Sequence, residues 1–469
     1  MATTRASNTF HGLLAATAMG VYVLLLVGAT TALTDATAAC TAWPICGDGF
    51  TLPTTFDGRV AVGHRIAAVL VGLLVLATLV SAWRANTSRR VRATVTASAV
   101  LYPAQAGLGA VVATVGGGAS LSLLHLLVGM AIFGGFILAL AWTLESETGN
   151  PGDRPVAPPE SADELVEDYE RPEVPTEPIA RAKATAWAYF QLMKPRLMWL
   201  LCLVASAGMA LAGTVSPGLT PRVLLLTLGG GVLSIGASGT FNHVLERDVD
   251  RKMQRTSDRP LAVDLVPVRN AIAFGVLLTL ISVAMFASVN LLVGVLGFAA
   301  IAFYSVVYTL ILKPNTVQNT VIGGAAGALP ALIGWVAVTG EIGLGGLILA
   351  GVIFMWTPAH FYNLALAYKD DYARGGFPMM PVVRGETETR KHILWWLGAT
   401  LLSAAILGVM DALGAVYLLT SVVFGGLFLY FVVKLHYDQD DTAAFRSFHA
   451  SNAYLGTLLL AIVVDTLVL

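Results

Sequence analysis

Residues 242–260 read NHVLERDVDRKMQRTSDRP, a run dense in charge that follows directly on an apolar stretch beginning near residue 222. The rest of the chain is poor in charge. Its 469 residues are 56% hydrophobic and 12% Asp, Glu, Lys or Arg, with a net charge of −1, where a soluble domain carries about 25% charged residues. Apolar runs of seventeen or more residues recur, each long enough for a hydrocarbon layer of about 30 Å. They lack the alternating polarity of barrel strands, so the fold class expected is an all-α polytopic membrane protein. The near-zero net charge identifies no partner, and no nucleic-acid partner is expected. Three cysteines exclude a disulfide framework, although Cys40 and Cys46 share one polar loop and are a candidate pair. No cleavage pattern of small residues follows the first apolar run, so it reads as a retained helix and not as a signal peptide.

Four spans are expected near 11–32, 61–83, 93–114 and 120–143. Residues 145–177, ESETGNPGDRPVAPPESADELVEDYERPEVPTE, then have the Pro-rich, acidic composition of a disordered linker. Nine further spans are expected near 197–213, 222–245, 268–287, 291–310, 318–338, 343–367, 393–411, 414–434 and 449–468. The expected domains are therefore a four-span domain over 1–144, a linker over 145–184 and a nine-span domain over 185–469.

Lys and Arg concentrate in alternate short loops: Arg84, Arg89, Arg90 and Arg92; Lys194 and Arg196; Arg247 to Arg259; Lys313; and Lys369 to Lys391. By the positive-inside rule these loops, the linker and the N-terminus are cytoplasmic, and the chain ends outside after thirteen crossings of the plasma membrane. The opposite loop, 33–60, carries Asp35, Asp48 and Asp57 and is poor in Lys and Arg.

Within the opening stretch, Asn242, Glu246 and Asp250 are spaced i, i+4, i+8, so on a continuous helix they drift only about 40° per step. Three oxygen-bearing side chains on one stripe suit a hard cation such as Mg²⁺, which takes one or two carboxylates and completes its shell with water and substrate phosphate. Asp248 lies about 160° from Asp250 and is off the stripe. A second acidic point follows Asn363, at Asp370 and Asp371. Two such clusters at one membrane depth could hold metal on both sides of a diphosphate, with Arg247, Arg251, Lys252, Arg255, Lys313 and Lys369 around it to neutralise a leaving phosphate group. The plainer alternative is that the charges are topology signals and headgroup contacts. Orientation needs only Lys and Arg, so the acidic residues count against that alternative.

The residues resemble a known family. Asn242 with acids at +4, +6 and +8, followed by RKMQRT and RP, is similar to the first aspartate-rich motif of the UbiA-type intramembrane prenyltransferases, the heme O synthases (protoheme IX farnesyltransferases) in particular. LMKPR at 192–196, LKPNTVQNTVIGGAAGALPALIGWVAVTG at 312–340, WTPAHFYNLAL at 356–366 and KDDYARGGFPMMPVV at 369–383 resemble the same family, over nearly all of 185–469. The family commonly has Asp where this chain has Glu246. The resemblance implies a nine-helix bundle around a cavity, with Mg²⁺ holding farnesyl diphosphate at the cytoplasmic side. Ionisation would leave an allylic cation for a heme vinyl group to attack, and water would complete heme O. On that reading Asn242, Glu246, Asp250, Asp370 and Asp371 are catalytic and bind metal. Lys194, Arg196, Arg251, Lys313 and Lys369 hold diphosphate, and Trp356 and His360 face the porphyrin. Tyr304 and Tyr308 are weaker candidates, as interfacial tyrosines are ordinary.

In the first domain, His64 and His125 stand at the outer ends of alternate spans at similar depth. Paired helix-borne histidines can ligate heme iron, although two histidines near an interface can also arise by chance. His11 has no such counterpart. CTAWPICGDG at 40–49, HR at 64–65, QAGLGAVVATVGG at 105–117 and HLL at 125–127 resemble the N-terminal half of the heme A synthases. That resemblance implies a heme site at His64 and His125 and a cysteine pair matching Cys40 and Cys46. No further Cys or His cluster completes a zinc site, so a disulfide on the outer side is the simpler reading. Where that family carries Glu, this chain has Ala61, with Asp57 the nearest upstream acid. Only one of the family's two four-helix repeats is present, so a homo-oligomer or a heme A synthase or oxidase-assembly partner would be needed for a second heme site. A UbiA-type transferase acting on a quinone or lipid, and a non-enzymatic heme-binding or transport protein, are the alternatives.

Overall fold

The computed structural model describes residues 2–33, 40, 42–46, 53–85, 87–116, 118–150, 153, 176–410 and 413–468. Asp35, Asp48 and residues 151–152 and 154–175 of the expected linker lie outside them. The described elements are helical. In order they are α1 (Ala2–Leu33), α2 (Phe56–Arg84), α3 (Arg89–Val111), α4 (Ala119–Thr148), α5 (Pro178–Leu192), α6 (Pro195–Gly213), α7 (Pro221–Leu245), α8 (Arg247–Asp250), α9 (Val268–Ala287), α10 (Leu291–Ala302), α11 (Lys313–Asn315), α12 (Asn319–Thr339), α13 (Leu344–Ala367), α14 (Lys369–Arg374), α15 (Met380–Arg384), α16 (Glu386–Leu407), α17 (Ala415–Asp438) and α18 (Asp441–Leu467). Two π-helical stretches, Val112–Gly116 and Phe303–Leu312, extend α3 and α10.

Among the described residues twelve helices are long and apolar enough to cross a membrane, and the chain is a multi-pass membrane protein. The remaining expected span, 393–411, falls on α16, which is not among these twelve. There α16 carries Glu386, Glu388, Arg390 and Lys391 in its first six residues, which leaves His392–Leu407 as its apolar stretch.

The starts of the helices are written locally. Thr55, Ser88, Thr220, Asn290 and Asp440 each accept a backbone N–H three residues on, satisfying a donor that the first turn leaves open. Proline opens α5, α6 and α7, where its missing N–H costs nothing.

The chain divides into two compact units, Met1–Pro151 with Arg390–Gln439, and Gly152–Thr389 with Asp440–Leu469. This grouping differs from the expected domains, because residues 390–439 join the first unit. The reason is tertiary. α17 packs on α1 and α4, Tyr22 and Ser421 share a buried hydrogen bond of 2.6 Å, and Lys391 pairs with Glu145 at 2.7 Å.

In the second unit α7 packs on α9, α12 on α6 and α13, and α18 on α13 and α6. The α6–α12 crossing is close because Gly208 and Gly334 face the main chain of the opposite helix, and a Cβ on either would meet a carbonyl there. Below α7, the segment after α8 is held by two small cores. Leu261, Val266 and Ala271 pack with Ala188 and Leu192 of α5. Met253 packs with Ala365 of α13, Tyr372, Phe377 and Met379. The second core puts the two acidic segments on one apolar foundation.

Candidate functional site

α7 ends at Leu245, and Glu246 adopts φ −98°, ψ 3° before α8 begins. The α-type spacing survives this break: Glu246 N–H donates to Asn242 O at 2.9 Å and Asp250 N–H to Glu246 O at 2.7 Å. Asn242, Glu246 and Asp250 are therefore buried together on one side, at 2%, 5% and 2% exposure. Asp248 points away, its side chain 75% exposed and paired with Arg247.

Each member of the stripe meets a cation or a donor from elsewhere in the chain. Asn242 Oδ1 accepts from Lys194 Nζ, while its Nδ2 donates to Thr309 Oγ1 at 3.1 Å. Glu246 Oε1 lies 2.6 Å from Lys313 Nζ. Asp250 takes both its bonds from one nitrogen of Arg259, at 2.8 and 2.9 Å. Lys194 reaches this position from a left-handed turn, φ 55°, between α5 and α6. Gly239 of α7 makes room for the turn, since a Cβ there would lie 2.8 Å from Leu192 O and 3.1 Å from Lys194 Cγ. Thr309 and Tyr304 come from the π-helical end of α10, a wide turn of the sort found at functional sites.

The electrostatics follow from this packing. Burial, and then the facing Arg259, lower the Lys194 pKa to about 7, against the pull of Glu246. For Glu246 burial acts upward, but Lys313 and Lys194 together outweigh it and hold the carboxyl below its usual value. Burial raises Asp250, with Arg259 opposing it.

The second acidic segment is built differently. Asp371, 4% exposed, accepts the backbone N–H groups of Gln254 and Arg255, both at 3.0 Å, and pairs with Arg374. Asp370 is exposed beside it. Arg255 lies over the rings of Tyr368 and Tyr372 at 4.8 and 5.5 Å. Lys369 pairs with Glu386 at 2.5 Å, and Lys313 sits over the Phe377 ring at 4.3 Å.

The expected residues thus fall into groups. Lys194, Asn242, Glu246, Asp250 and Lys313 converge. Arg251 is turned aside, donating to Ala262 O and to Asp264, both at 2.8 Å, and Arg196 is exposed at the start of α6. Trp356 and His360 form a separate group with α18, stacked at 4.2 Å between centroids. Arg259 was not singled out from sequence; its RP dipeptide closes the first motif and was the available signal.

Among the described residues no three His, Cys, Asp or Glu side chains form a ready metal cage. The stripe nevertheless fits a hard cation. It offers buried oxygens of the right chemistry, and the groups now satisfying them are Lys and Arg side chains, which suit phosphate oxygens equally well. A buried oxygen of the second segment, Asn363 Oδ1, has no hydrogen-bond partner.

In the first unit, His64 and His125 each keep a buried Nδ1 without a partner. Glycines lie flush against the rings: a Cβ on Gly28 would be 3.4 Å from His64 Cε1, and one on Gly109 3.0 Å from His125 Cε1. Cys40 and Cys46 form a disulfide that packs on Ala61. Arg65, one residue after His64, holds that loop by donating to Ala42 O at 2.7 Å and Cys40 O at 2.9 Å. His11 joins Tyr437 and Glu147 instead, its Nδ1 2.8 Å from the Tyr437 hydroxyl.

Comparison with known proteins adds three findings. The profile of the UbiA prenyltransferase family matches residues 200–456. A protoheme IX farnesyltransferase of Haloquadratum walsbyi is 65% identical over 98% of this chain and 97% of its own length, and one of Haloarcula marismortui is 63% identical over 99% of both. Among solved structures, a digeranylgeranylglyceryl phosphate synthase aligns with a TM-score of 0.50 at 16% identity, covering 61% of this chain and all of that one; this likeness concerns the fold alone.

Proposed function

We propose, from the premise that this chain belongs to the UbiA prenyltransferase family and within it to the protoheme IX farnesyltransferases, that it transfers the farnesyl group of farnesyl diphosphate to a vinyl group of protoheme IX. The C1–O bond of farnesyl diphosphate breaks and diphosphate leaves with the electron pair. The vinyl group attacks the allylic cation, water adds to the new cation with loss of a proton, and heme O results. The single observation that carries this reading is the buried convergence of Asn242, Glu246 and Asp250 with Lys194, Lys313 and Arg259.

Asn242, Glu246 and Asp250 would hold Mg²⁺, with Asp370 contributing from the second segment. The ion, when bound, neutralises diphosphate charge. The remaining work belongs to the chain. Lys194, Lys313 and Arg259 are held ready by the stripe and can exchange their carboxylate or amide partners for phosphate oxygens as negative charge develops on the leaving group. Lys369 stands at the rim. Asp371 acts by positioning, because its oxygens are spent on Gln254, Arg255 and Arg374. Trp356 and His360 belong to the acceptor side. The Lys- and Arg-rich loops favour a cytoplasmic active site and N-terminus in the plasma membrane.

A second reading concerns the first unit. The unpartnered Nδ1 atoms of His64 and His125 and the glycines beside the rings support heme binding there. Ala61, covered by the disulfide, supplies no carboxylate for oxidation, so the unit is read as a heme donor or acceptor for the transferase, or for a second copy or an oxidase-assembly partner. Tethering would raise the local heme concentration.

Extraction of hemes from cells lacking heme O tests both readings. Cells expressing the whole chain should gain heme O. Folded protein with no heme O formed would overturn the first reading, and a purified protein whose heme spectrum ignores His64→Ala and His125→Ala would overturn the second.

A further inference from the structure

His360 is fixed more tightly than a residue that merely lines a cavity. Its ring is stacked between Trp356, at 4.2 Å and 15°, and Phe448 of α18, at 4.4 Å and 28°. Trp356 Nε1 donates to Ser451 O at 3.0 Å, tying α13 to α18 beside the stack. His360 Nδ1 lies 2.7 Å from Ser451 Oγ. The serine has a second acceptor within reach. Its hydroxyl has one proton, and Ser451 Oγ donates it to Phe448 O at 2.7 Å. With its proton on Phe448 O, the serine oxygen is an acceptor, and it pairs with the tautomer of His360 that carries its hydrogen on Nδ1.

That tautomer leaves Nε2 as a bare lone pair. Nε2 makes no hydrogen bond to a described residue, and His360 is only partly buried. An imidazole oriented through Nδ1–H, with both faces packed and Nε2 open, is arranged as a metal-ligating histidine is arranged. Proton acceptance is the competing use. It would place a cation between aromatic rings where, among the described residues, no carboxylate contacts the imidazole. Ligation leaves the imidazole neutral.

We propose that His360 Nε2 binds the iron of the heme acceptor, with Ser451 as the positioning residue; this rests on the acceptor being heme. Ligation would anchor the macrocycle at its centre and leave its vinyl edge free to meet the farnesyl cation. Metal-free protoporphyrin, alike in shape but without iron, would lose this anchor.

The test uses the full chain in nanodiscs, with His64→Ala and His125→Ala introduced to silence the first unit. Protoheme IX and metal-free protoporphyrin IX are titrated separately. This background protein should bind protoheme about tenfold or more tightly than protoporphyrin, and His360→Ala should make the two equal. Imidazole added to His360→Gly should restore the heme absorption spectrum. Ser451→Ala, which leaves the ring in place, should weaken protoheme roughly tenfold without touching protoporphyrin. Retained binding of farnesyl diphosphate shows that each variant is folded. If His360→Ala keeps the preference for iron and an unchanged spectrum, ligation is wrong, even where the background protein still makes heme O. If the preference depends on His360 but no heme O forms, ligation stands and the transfer reading falls.

Discussion

The carboxylate of Asp371 receives the main-chain N–H of Arg255 at 3.0 Å, across 116 residues of sequence, together with that of Gln254. This joins the second acidic segment to the loop that follows the first. Asp371→Ala leaves the main-chain N–H groups of Gln254 and Arg255 without this acceptor, each bond to a charged group being worth about 1.5–3 kcal/mol. The expected outcome is a lower thermal midpoint in detergent and heme O formation reduced about 100-fold, read by unfolding and turnover on the same preparation.

Glu246 and Lys313 predict a different pattern. Removing either partner strands a buried charge at a cost of about 3–5 kcal/mol. Glu246→Gln and Lys313→Met should therefore each destabilise the protein, while the double variant regains much of the stability and none of the activity. Equal stability of all three would show that the pair is not buried as described.

Arg259 is expected to be as important as the acids it serves. Its guanidinium reaches both oxygens of Asp250 through one nitrogen, and it carries further N–H donors in a planar fork toward phosphate that an ammonium does not reproduce. Arg259→Lys should lower kcat by roughly 100-fold with a smaller change in KM, if the group acts on charge developing at the leaving diphosphate. An effect confined to KM would assign it to ground-state binding.

Gly239 gives a test with no charge change. A methyl group there meets Leu192 O and Lys194, so Gly239→Ala should push the Lys194 turn away from Asn242. Activity should fall at least about tenfold with the helical content unchanged by circular dichroism. Normal turnover would mean that Lys194 does not depend on this close approach.

Much of this was legible in the sequence, for physical reasons. Apolar run length reveals membrane helices, and a 3.6-residue period places Asn242, Glu246 and Asp250 together and Asp248 apart. That periodicity tolerated the break at Glu246 because the two hydrogen bonds across it keep the α-type register. What was not legible is pairing across distance. Nothing near Lys313 announces Glu246, 67 residues away, and nothing near Asp371 announces the N–H groups of Gln254 and Arg255. The same holds for Arg251, whose charge matches a diphosphate but whose side chain turns to Asp264. It also holds for residues 390–439, whose grouping depends on contacts such as Tyr22 with Ser421.

The most direct test incubates purified full-length protein with protoheme IX, isotopically labelled farnesyl diphosphate and Mg²⁺, then weighs the extracted porphyrins by mass spectrometry. The account predicts labelled heme O, its loss on chelation by EDTA, its return with Mg²⁺, and a decrease of about 100-fold or more in Asp250→Asn. Farnesyl diphosphate consumed with no gain in porphyrin mass, or heme O formed equally well by Asp250→Asn under EDTA, would contradict it.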